Sequence, residues 1–412
     1  MIGKADTFDF DSAYLNSPLG EDEIIYLEQP IDHETEDHRY WVQRLLKALY
    51  GLKQGARNWY KALCLALDEL GFTRTNADHG VFFKRVGKDL IIFMVHVDDC
   101  LLIGSYRTLI NKFKADMHKR YKLTDLGQAH WLLGIKITRD CANKTILLSQ
   151  HAYIESIITR YNFDDLKPSS IPIDPSAPLS KLQSPSKLED IARMKNIPYC
   201  EAVGLLMYAA MGTRPDIVFA TSTVAQFADN PGWPHWEAVK RIFHYLLGTK
   251  KLELTYGGEQ RGLVGYVDAD GAQESHFGLC FHGGWRRVSW SSKKQVLVML
   301  STTEAEYIAT MHATKEAMWL RWLIMELFRM IETPTTLFSD SKSAIALTQD
   351  SHYHTCTKHI DIQYHFICYI VEAGTIKLVY CPTDDMTADM LTKVLLTVKA
   401  KHFANALGLC MV

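Results

Sequence analysis

The sequence predicts a mixed fold in three consecutive blocks, the first α+β, the second helical and the third α/β. Three observations carry that division. Pro168 to Lys187 holds five prolines and six serines, which cannot sustain a regular helix or a central strand and reads as a tether over the surface. Near Gly257 to Gly262, helical spacing of apolar residues gives way to strand-like alternation. In the last block, short strands run into helices with acids at the junctions, the pattern of an α/β sheet. The expected boundaries are therefore 1–167, 168–257 and 258–412.

Each block is justified by its local patterns. In the first, Trp59, Leu63, Ala66, Leu67 and Leu70 fall at helical spacing within Ala56 to Leu70, with Gly71 as the stop. Ile91 to Val95 and Leu101 to Ile103 are apolar runs around Asp98 and Asp99, which predicts strand, turn and strand with two acids at the bend. The middle block predicts helices over Tyr199 to Thr213, Pro215 to Phe227 and His235 to Leu247, with Pro215 placed at a helix start. The last predicts strands at Leu263 to Asp268, Val288 to Trp290 and Val296 to Leu300, then a long helix from Thr302 to about Met330. Ser301 and Glu304 have the form of a capping box for it. Strand Thr336 to Phe338 and a helix follow, then strand Thr375 to Tyr380 and a last helical segment.

Bulk properties exclude several classes. At 412 residues, with 47% hydrophobic and 22% charged side chains, the chain has the composition of globular protein with two to three domains, not of a disordered, collagenous or coiled-coil chain. The longest apolar run, Leu90 to Val97, contains His96 and is far shorter than the roughly 18 to 20 residues of a membrane-spanning helix. The first ten residues carry Lys4, Asp6 and Asp9 and lack the apolar core of a signal peptide. Nine cysteines without a C-x-x-C pair read as reduced, intracellular residues. A formal charge of −2 lacks the overall basicity of many nucleic-acid binders. Lys112, Lys114, Lys119, Arg120 and Lys122, and a second cluster of Arg286, Arg287, Lys293 and Lys294, are either phosphate-binding patches or solvated faces.

Asp98 and Asp99 repel each other and are costly beside an apolar hairpin unless cations neutralise them. A hard divalent ion such as Mg²⁺ takes such oxygen ligands and shares its site with substrate phosphates. Asp9, in Phe8-Asp9-Phe10-Asp11, is the candidate second-strand acid for an in-line phosphoryl displacement. An Asp-Asp pair standing alone reads as an ordinary turn.

In context, these segments resemble the reverse transcriptase of copia-type LTR retrotransposons. The resemblance rests on Asp9-Phe-Asp-Ser-Ala-Tyr-Leu-Asn16, Ile25-Tyr-Leu-Glu-Gln-Pro30, Leu49-Tyr-Gly-Leu-Lys-Gln54, Val97-Asp-Asp99, Asp125-Leu-Gly127, Leu148-Ser-Gln150 and Tyr153. Downstream, Gly204 to Tyr208, Thr213-Arg-Pro-Asp216, His235-Trp236 and Gly248-Thr249 continue it, so that it covers nearly the whole chain. It implies a polymerase palm over 1–167 without complete fingers, a helical thumb or connection over 168–257, and an RNase H-like domain over 258–412. Asp9, Asp98 and Asp99 would be the polymerase metal ligands. Tyr14 would exclude a ribose 2′ hydroxyl, and Lys53 and Gln54 would lie beside the incoming nucleotide and the template. Asp268, Glu306, Asp340 and Asp389 would be the four RNase H acids, with Glu306 preferred over Glu304 because Glu304 serves the capping box. Two Mg²⁺ or Mn²⁺ ions per active site are implied. The implied partners are an RNA template, a DNA primer, an RNA–DNA hybrid and dNTPs, with no membrane and no oligomeric state specified. The implied location is intracellular, in a cytoplasmic particle, the nucleus or both, and not secreted.

The chain departs from the family pattern at several places. It starts almost at Asp9, which implies an N-terminally truncated polymerase lacking the preceding fingers segment, and hence the C-terminal part of a polyprotein. Gly55 and Ala56 replace the usual Ala-Pro, and Leu247 replaces a basic residue. His96 stands where many relatives have Tyr and is associated with some fungal members. The stretch from Asp268 to Ser289 is short. His352, His354, Cys356, His359 and His365 mimic zinc spacing, but the family pattern accounts for most of them and no zinc is expected. The alternative to an active enzyme is a catalytically inactive nucleic-acid-binding remnant or a relic of the element.

Overall fold

The computed structural model describes residues 4–31, 41–257, 261–270, 275–284, 286–295, 301–330, 333–349 and 366–411. Two compact units emerge, Met1–Leu133 with Leu323–Arg329, and Gly134–Trp322 with Met330–Val412. The boundaries expected at 167/168 and 257/258 both fall inside the second unit. The histidines and cysteine at zinc-like spacing and the expected strand Val296 to Leu300 lie outside the described residues.

The first unit contains β1 (Lys4–Phe10), β2 (Tyr26–Glu28), β3 (Val42–Arg44), α1 (Gly55–Glu69), β4 (Thr73–Arg74), β5 (Val81–Val86), β6 (Asp89–His96), β7 (Asp99–Gly104), α2 (Arg107–His118), β8 (Leu123–Gln128) and β9 (Trp131–Leu132). Its main sheet runs β4-β5-β6-β7-β1-β8 with antiparallel pairings. Strand alternation sets what each face receives. Phe8 and Phe10 of β1 are buried against Trp59 and Leu63 of α1 and Phe113 and Met117 of α2. Asp9, between the two phenylalanines, is turned to the other face.

The second unit opens with β10 (Ile135–Asp140) and β11 (Thr145–Ser149), followed by α3 (His151–Arg160), α4 (Leu188–Lys195), α5 (Tyr199–Gly212), α6 (Val218–Ala225) and α7 (Trp233–Thr249). The helices share one apolar core. Pro168 to Lys187 is a fitted strap rather than a free tether. Ile171 and Ile173 are buried, and the Ser169 amide donates to the His244 carbonyl at 3.1 Å. His235 receives the Gly232 amide at Nδ1 (2.8 Å), while its Nε2 meets the Ser180 carbonyl at 3.1 Å. The prolines that forbid regular structure leave apolar side chains free to pack, so the strap closes the helical core.

The chain then forms β12 (Leu252–Tyr256), β13 (Arg261–Ala269), β14 (His276–Gly284), β15 (Arg286–Lys294), α8 (Thr302–Phe328), β16 (Thr335–Ser339), α9 (Lys342–Gln349), α10 (366–372), β17 (Ile376–Tyr380), α11 (Thr397–Ala406) and β18 (Leu409–Met411). The sheet order is β15-β14-β13-β16-β17, antiparallel among the first three and parallel from β13 through β16 to β17. Period-two alternation supplies two apolar faces. Val267, Leu279 and Leu337 pack with α8 on one. Tyr266, Cys280 and Phe338 pack with Leu391 and Phe403 on the other. The Ser301 hydroxyl accepts the Glu304 amide at 3.1 Å, as a cap for α8. Among the described residues, no helix is long and apolar enough to cross a membrane.

Candidate active sites

In the first unit, Asp9 of β1 pairs in register with Asp99 of β7, and His96 pairs with Asp99 across the hairpin. Val97 and Asp98 form the two-residue bend. Val97 has φ of 63°, a strained value for a β-branched residue, and its carbonyl accepts the Trp59 indole at 2.7 Å. The bend is thus pinned from the helical core. Burial, and then the charges of Asp98, Asp99 and Asp11, raise the Asp9 pKa. Tyr14 lies in a 3-10 turn, Ala13–Asn16, with its ring stacked on Tyr50 at 4.4 Å, and the Tyr50 hydroxyl is 3.5 Å from an Asp98 oxygen. Lys53 is exposed and Gln54 half-buried in the turn leading into α1.

Five other acids of this unit have cationic partners. Asp6 is bound by Arg107 and Lys114, Asp125 by Lys114, Asp116 by Lys119, Glu69 by Arg120 and Asp11 by Lys122. Among the described residues, no lysine or arginine pairs with Asp9, Asp98 or Asp99. Four of the five basic residues read as a phosphate patch are therefore engaged within the domain. An ordered set of partners is what the sequence did not disclose, because Asp6 and Lys114 are 108 residues apart. The unpaired set of three acids suits a hard cation in donor chemistry. Their oxygens do not gather within 4.8 Å of one another, however, as another group of acids in the chain does.

That group is in the second unit, where Asp268, Glu306 and Asp340 each bring one oxygen within 4.8 Å of the others. Asp268 comes from the end of β13, Glu306 from the second turn of α8 and Asp340 from just beyond β16. Asp268 and Glu306 are buried. Burial first, and then Asp268 and Asp340, push the Glu306 carboxyl up to about 9. Burial also raises Asp268, to about 6, against the opposing pull of Lys393. Among the described residues Glu306 Oε2 is buried without a hydrogen-bond partner, an expensive state for a carboxylate. Three carboxylates with an orphaned inward oxygen fit Mg²⁺ or Mn²⁺.

Asp389 is brought beside this cluster in a different role. It sits fully buried in a 3-10 turn, Thr387–Leu391, rather than opening the last helix. Lys393 approaches it at 2.8 Å and Lys399 at 3.2 Å, and Lys393 also lies 3.5 Å from Asp268. The Thr392 hydroxyl donates to Asp268. Asp389 is thus outside the group of three. Nothing in the local sequence pattern singles out Thr392 or Lys393, whose partner Asp268 lies 124 residues from Thr392. The turn that carries them is seated against Gly278, the residue opposite Asp268 in β14. A Cβ there would stand 2.6 Å from Leu391 Cβ and 3.0 Å from the Ala388 carbonyl.

Two other motifs are structural. Arg214 and Asp216 form a fully buried ion pair, at 2.6 and 2.9 Å, with Tyr245 donating to Asp216 at 2.8 Å and Arg214 donating to Thr249. The Gln150 amide oxygen accepts the Thr213 hydroxyl at 2.8 Å.

An antiparallel sheet with paired acids at its central hairpin, followed by a five-stranded mixed sheet with an acid cluster, defines a reverse transcriptase palm in one chain with an RNase H-like domain. The family model described as reverse transcriptase (RNA-dependent DNA polymerase) matches residues 4–175. The chain is 41% identical to the retrovirus-related Pol polyprotein from transposon TNT 1-94 of Nicotiana tabacum, over 95% of this chain and 30% of that one. It is 33% identical to a transposon Ty5-1 protein of Saccharomyces cerevisiae, over 75% of this chain and 99% of that protein. In fold it resembles a foamy viral protease-reverse transcriptase solved with double-stranded DNA, at a TM-score of 0.50 and 14% identity, over 92% of this chain and 57% of that one. The chain belongs to the Pol family of copia-type retrotransposons. It spans less than a third of the length of the tobacco polyprotein it matches.

Proposed function

We propose that the chain copies RNA into DNA at Asp9, Asp98 and Asp99 and cleaves the RNA strand of RNA–DNA hybrids at Asp268, Glu306, Asp340 and Asp389. The observation that carries this reading is the convergence of Asp268, Glu306 and Asp340 with a buried, unpartnered Glu306 oxygen. Mg²⁺ or Mn²⁺ bound there supplies Lewis-acid activation of water and neutralises phosphate charge. The protein's own groups prepare the site. Glu306 holds a proton at neutral pH and gives it up when positive charge arrives, while the Thr392 hydroxyl fixes one Asp268 oxygen. Lys393 and Lys399 hold Asp389 in place. For Asp389 to join a two-ion site, Lys393 has to give up its 2.8 Å contact.

The polymerase reading is supported by Asp9 and Asp99 standing opposite each other in register beside Asp98, none of the three paired with a lysine or arginine among the described residues. The Tyr14 ring, held by Tyr50, acts as the screen against ribose 2′ hydroxyls. Lys53 and Gln54 flank the incoming dNTP and template, and a DNA primer ends at the bend of Val97 and Asp98, beside Asp99. The test is Mg²⁺-dependent cleavage of labelled RNA within a hybrid, measured beside Asp340→Asn. Cleavage by the parent chain and its loss in the variant is the expected result; equal cleavage by both overturns the assignment.

A further inference from the structure

A second site is built into the second unit, apart from both acid sets. A cavity of about 610 Å³ opens between α5, α6, β14, β15 and α8, and none of the seven acids lines it. Its size is that of small-molecule sites, which are mostly apolar with a few placed polar groups. Met207, Phe277 and Trp290 supply the apolar wall. Thr221 and Ser292, each more than nine-tenths buried, form part of its floor.

The rim carries positive charge. Lys293 and Lys315 are exposed, and among the described residues neither has an acidic partner. Both lie close enough to His312, whose ring stacks on Phe277 at 4.4 Å, to depress its pKa together with burial. The acid on the wall, Glu316, is occupied by the Ser289 hydroxyl at 2.5 Å.

We infer that this cavity binds a small aromatic phosphate ester, with its ring against Met207, Phe277 and Trp290 and its phosphate at Lys293 and Lys315. The same chemistry is offered by a free nucleoside monophosphate and by the 5′-phosphorylated end of a strand. The inference is independent of the reading of either acid set.

The experiment uses the full chain in EDTA, which silences both acid sites, and follows the fluorescence anisotropy of a methylanthraniloyl ester of deoxyadenosine monophosphate. Binding is expected, with displacement by deoxyadenosine monophosphate and not by deoxyadenosine. Combined Lys293→Ala and Lys315→Ala weakens it about tenfold. Ala225→Trp, which fills the cavity, abolishes it, and Asp340→Asn leaves it unchanged. If Ala225→Trp alters the circular dichroism melt, Met207→Ala, which trims the exposed part of the apolar wall, takes its place and weakens binding instead. Displacement by short DNA carrying a 5′ phosphate, but not by the same strand without one, identifies the strand end; displacement by the free nucleotide alone identifies the small molecule. Absent binding, binding indifferent to the lysine and cavity variants, or loss in Asp340→Asn overturns the inference.

Discussion

Asp9 of β1 stands opposite Asp99 of β7 in adjacent antiparallel strands, with Phe8 and Phe10 on either side committed to the opposite, buried face. The core packing of two phenylalanines therefore presents the carboxylate, and the neighbouring bend adds Asp98. Holding these like charges together raises the Asp9 pKa once burial has begun the shift. Asp9→Asn should raise the thermal stability of the cation-free chain while abolishing primer extension. Melting curves and an extension assay on one preparation check it, and a variant that extends primers normally contradicts it.

Proton release should accompany cation binding at the second acid set. Glu306 is raised from an ordinary 4.5 to about 9, and Asp268 from 3.8 to about 6. A carboxyl whose folded pKa exceeds its unfolded one contributes stability that is complete below the unfolded value and is lost as pH rises through the folded one. Stability of the cation-free domain should thus fall between pH 3.8, where Asp268 begins to lose its proton in the unfolded chain, and about 9, where Glu306 loses it in the folded one. Mg²⁺ affinity and RNA cleavage should climb over the alkaline part of that window. Calorimetry in buffers of different ionisation enthalpy measures the released protons, and Glu306→Gln should remove most of them. A proton count unchanged by that substitution refutes the assignment of the shift.

Lys393 offsets the charge of Asp389 and Asp268 where no cation is bound. Its side chain is 37% exposed, so solvent screening limits the effect of Lys393→Met to about 1 kcal/mol of destabilisation. Mg²⁺ should restore most of the loss. Urea melts with and without Mg²⁺ decide the matter, and an identical deficit in both denies the lysine this role.

Gly278→Ala should injure cleavage without touching polymerisation. The added carbon meets the turn that carries Asp389 at 2.6 Å, and such overpacking costs about 1–3 kcal/mol. Hybrid cleavage is expected to drop while primer extension persists. Full cleavage by a folded variant shows that the turn adjusts freely.

The buried Arg214–Asp216 pair should behave as a unit. Removing one member strands the other charge, at about 3–5 kcal/mol, so Arg214→Met should be severely destabilising. The double replacement of Arg214 and Asp216 by apolar residues should recover much of that loss. Chemical denaturation of the single and double variants tests it, and additive losses contradict the coupling.

Much of this arrangement was legible because local patterns expose it. Two apolar runs separated by Asp98 and Asp99 can only fold back, and Asp268, Glu306 and Asp340 mark a strand end, a capped helix start and a second strand end. What local patterns do not reveal is pairing across distance. Lys114 reads as one charge in a basic run until Asp6 is found beneath it. Asp389 reads as a helix-opening acid because a 3-10 turn has no distinct apolar period, and that turn is what delivers Lys393 to it. The Pro168 to Lys187 strap looked loose because proline forbids regular structure without forbidding the burial of Ile171 and Ile173.

The most direct measurement follows both labelled strands of a primed RNA template in one reaction with dNTPs and Mg²⁺, comparing the parent chain with Asp98→Asn and Asp340→Asn. Primer extension lost only in Asp98→Asn, and RNA cleavage lost only in Asp340→Asn, is the expected pattern of two independent acid sites. A folded parent chain that binds the hybrid yet neither extends nor cleaves, or activities that survive both substitutions, would contradict it.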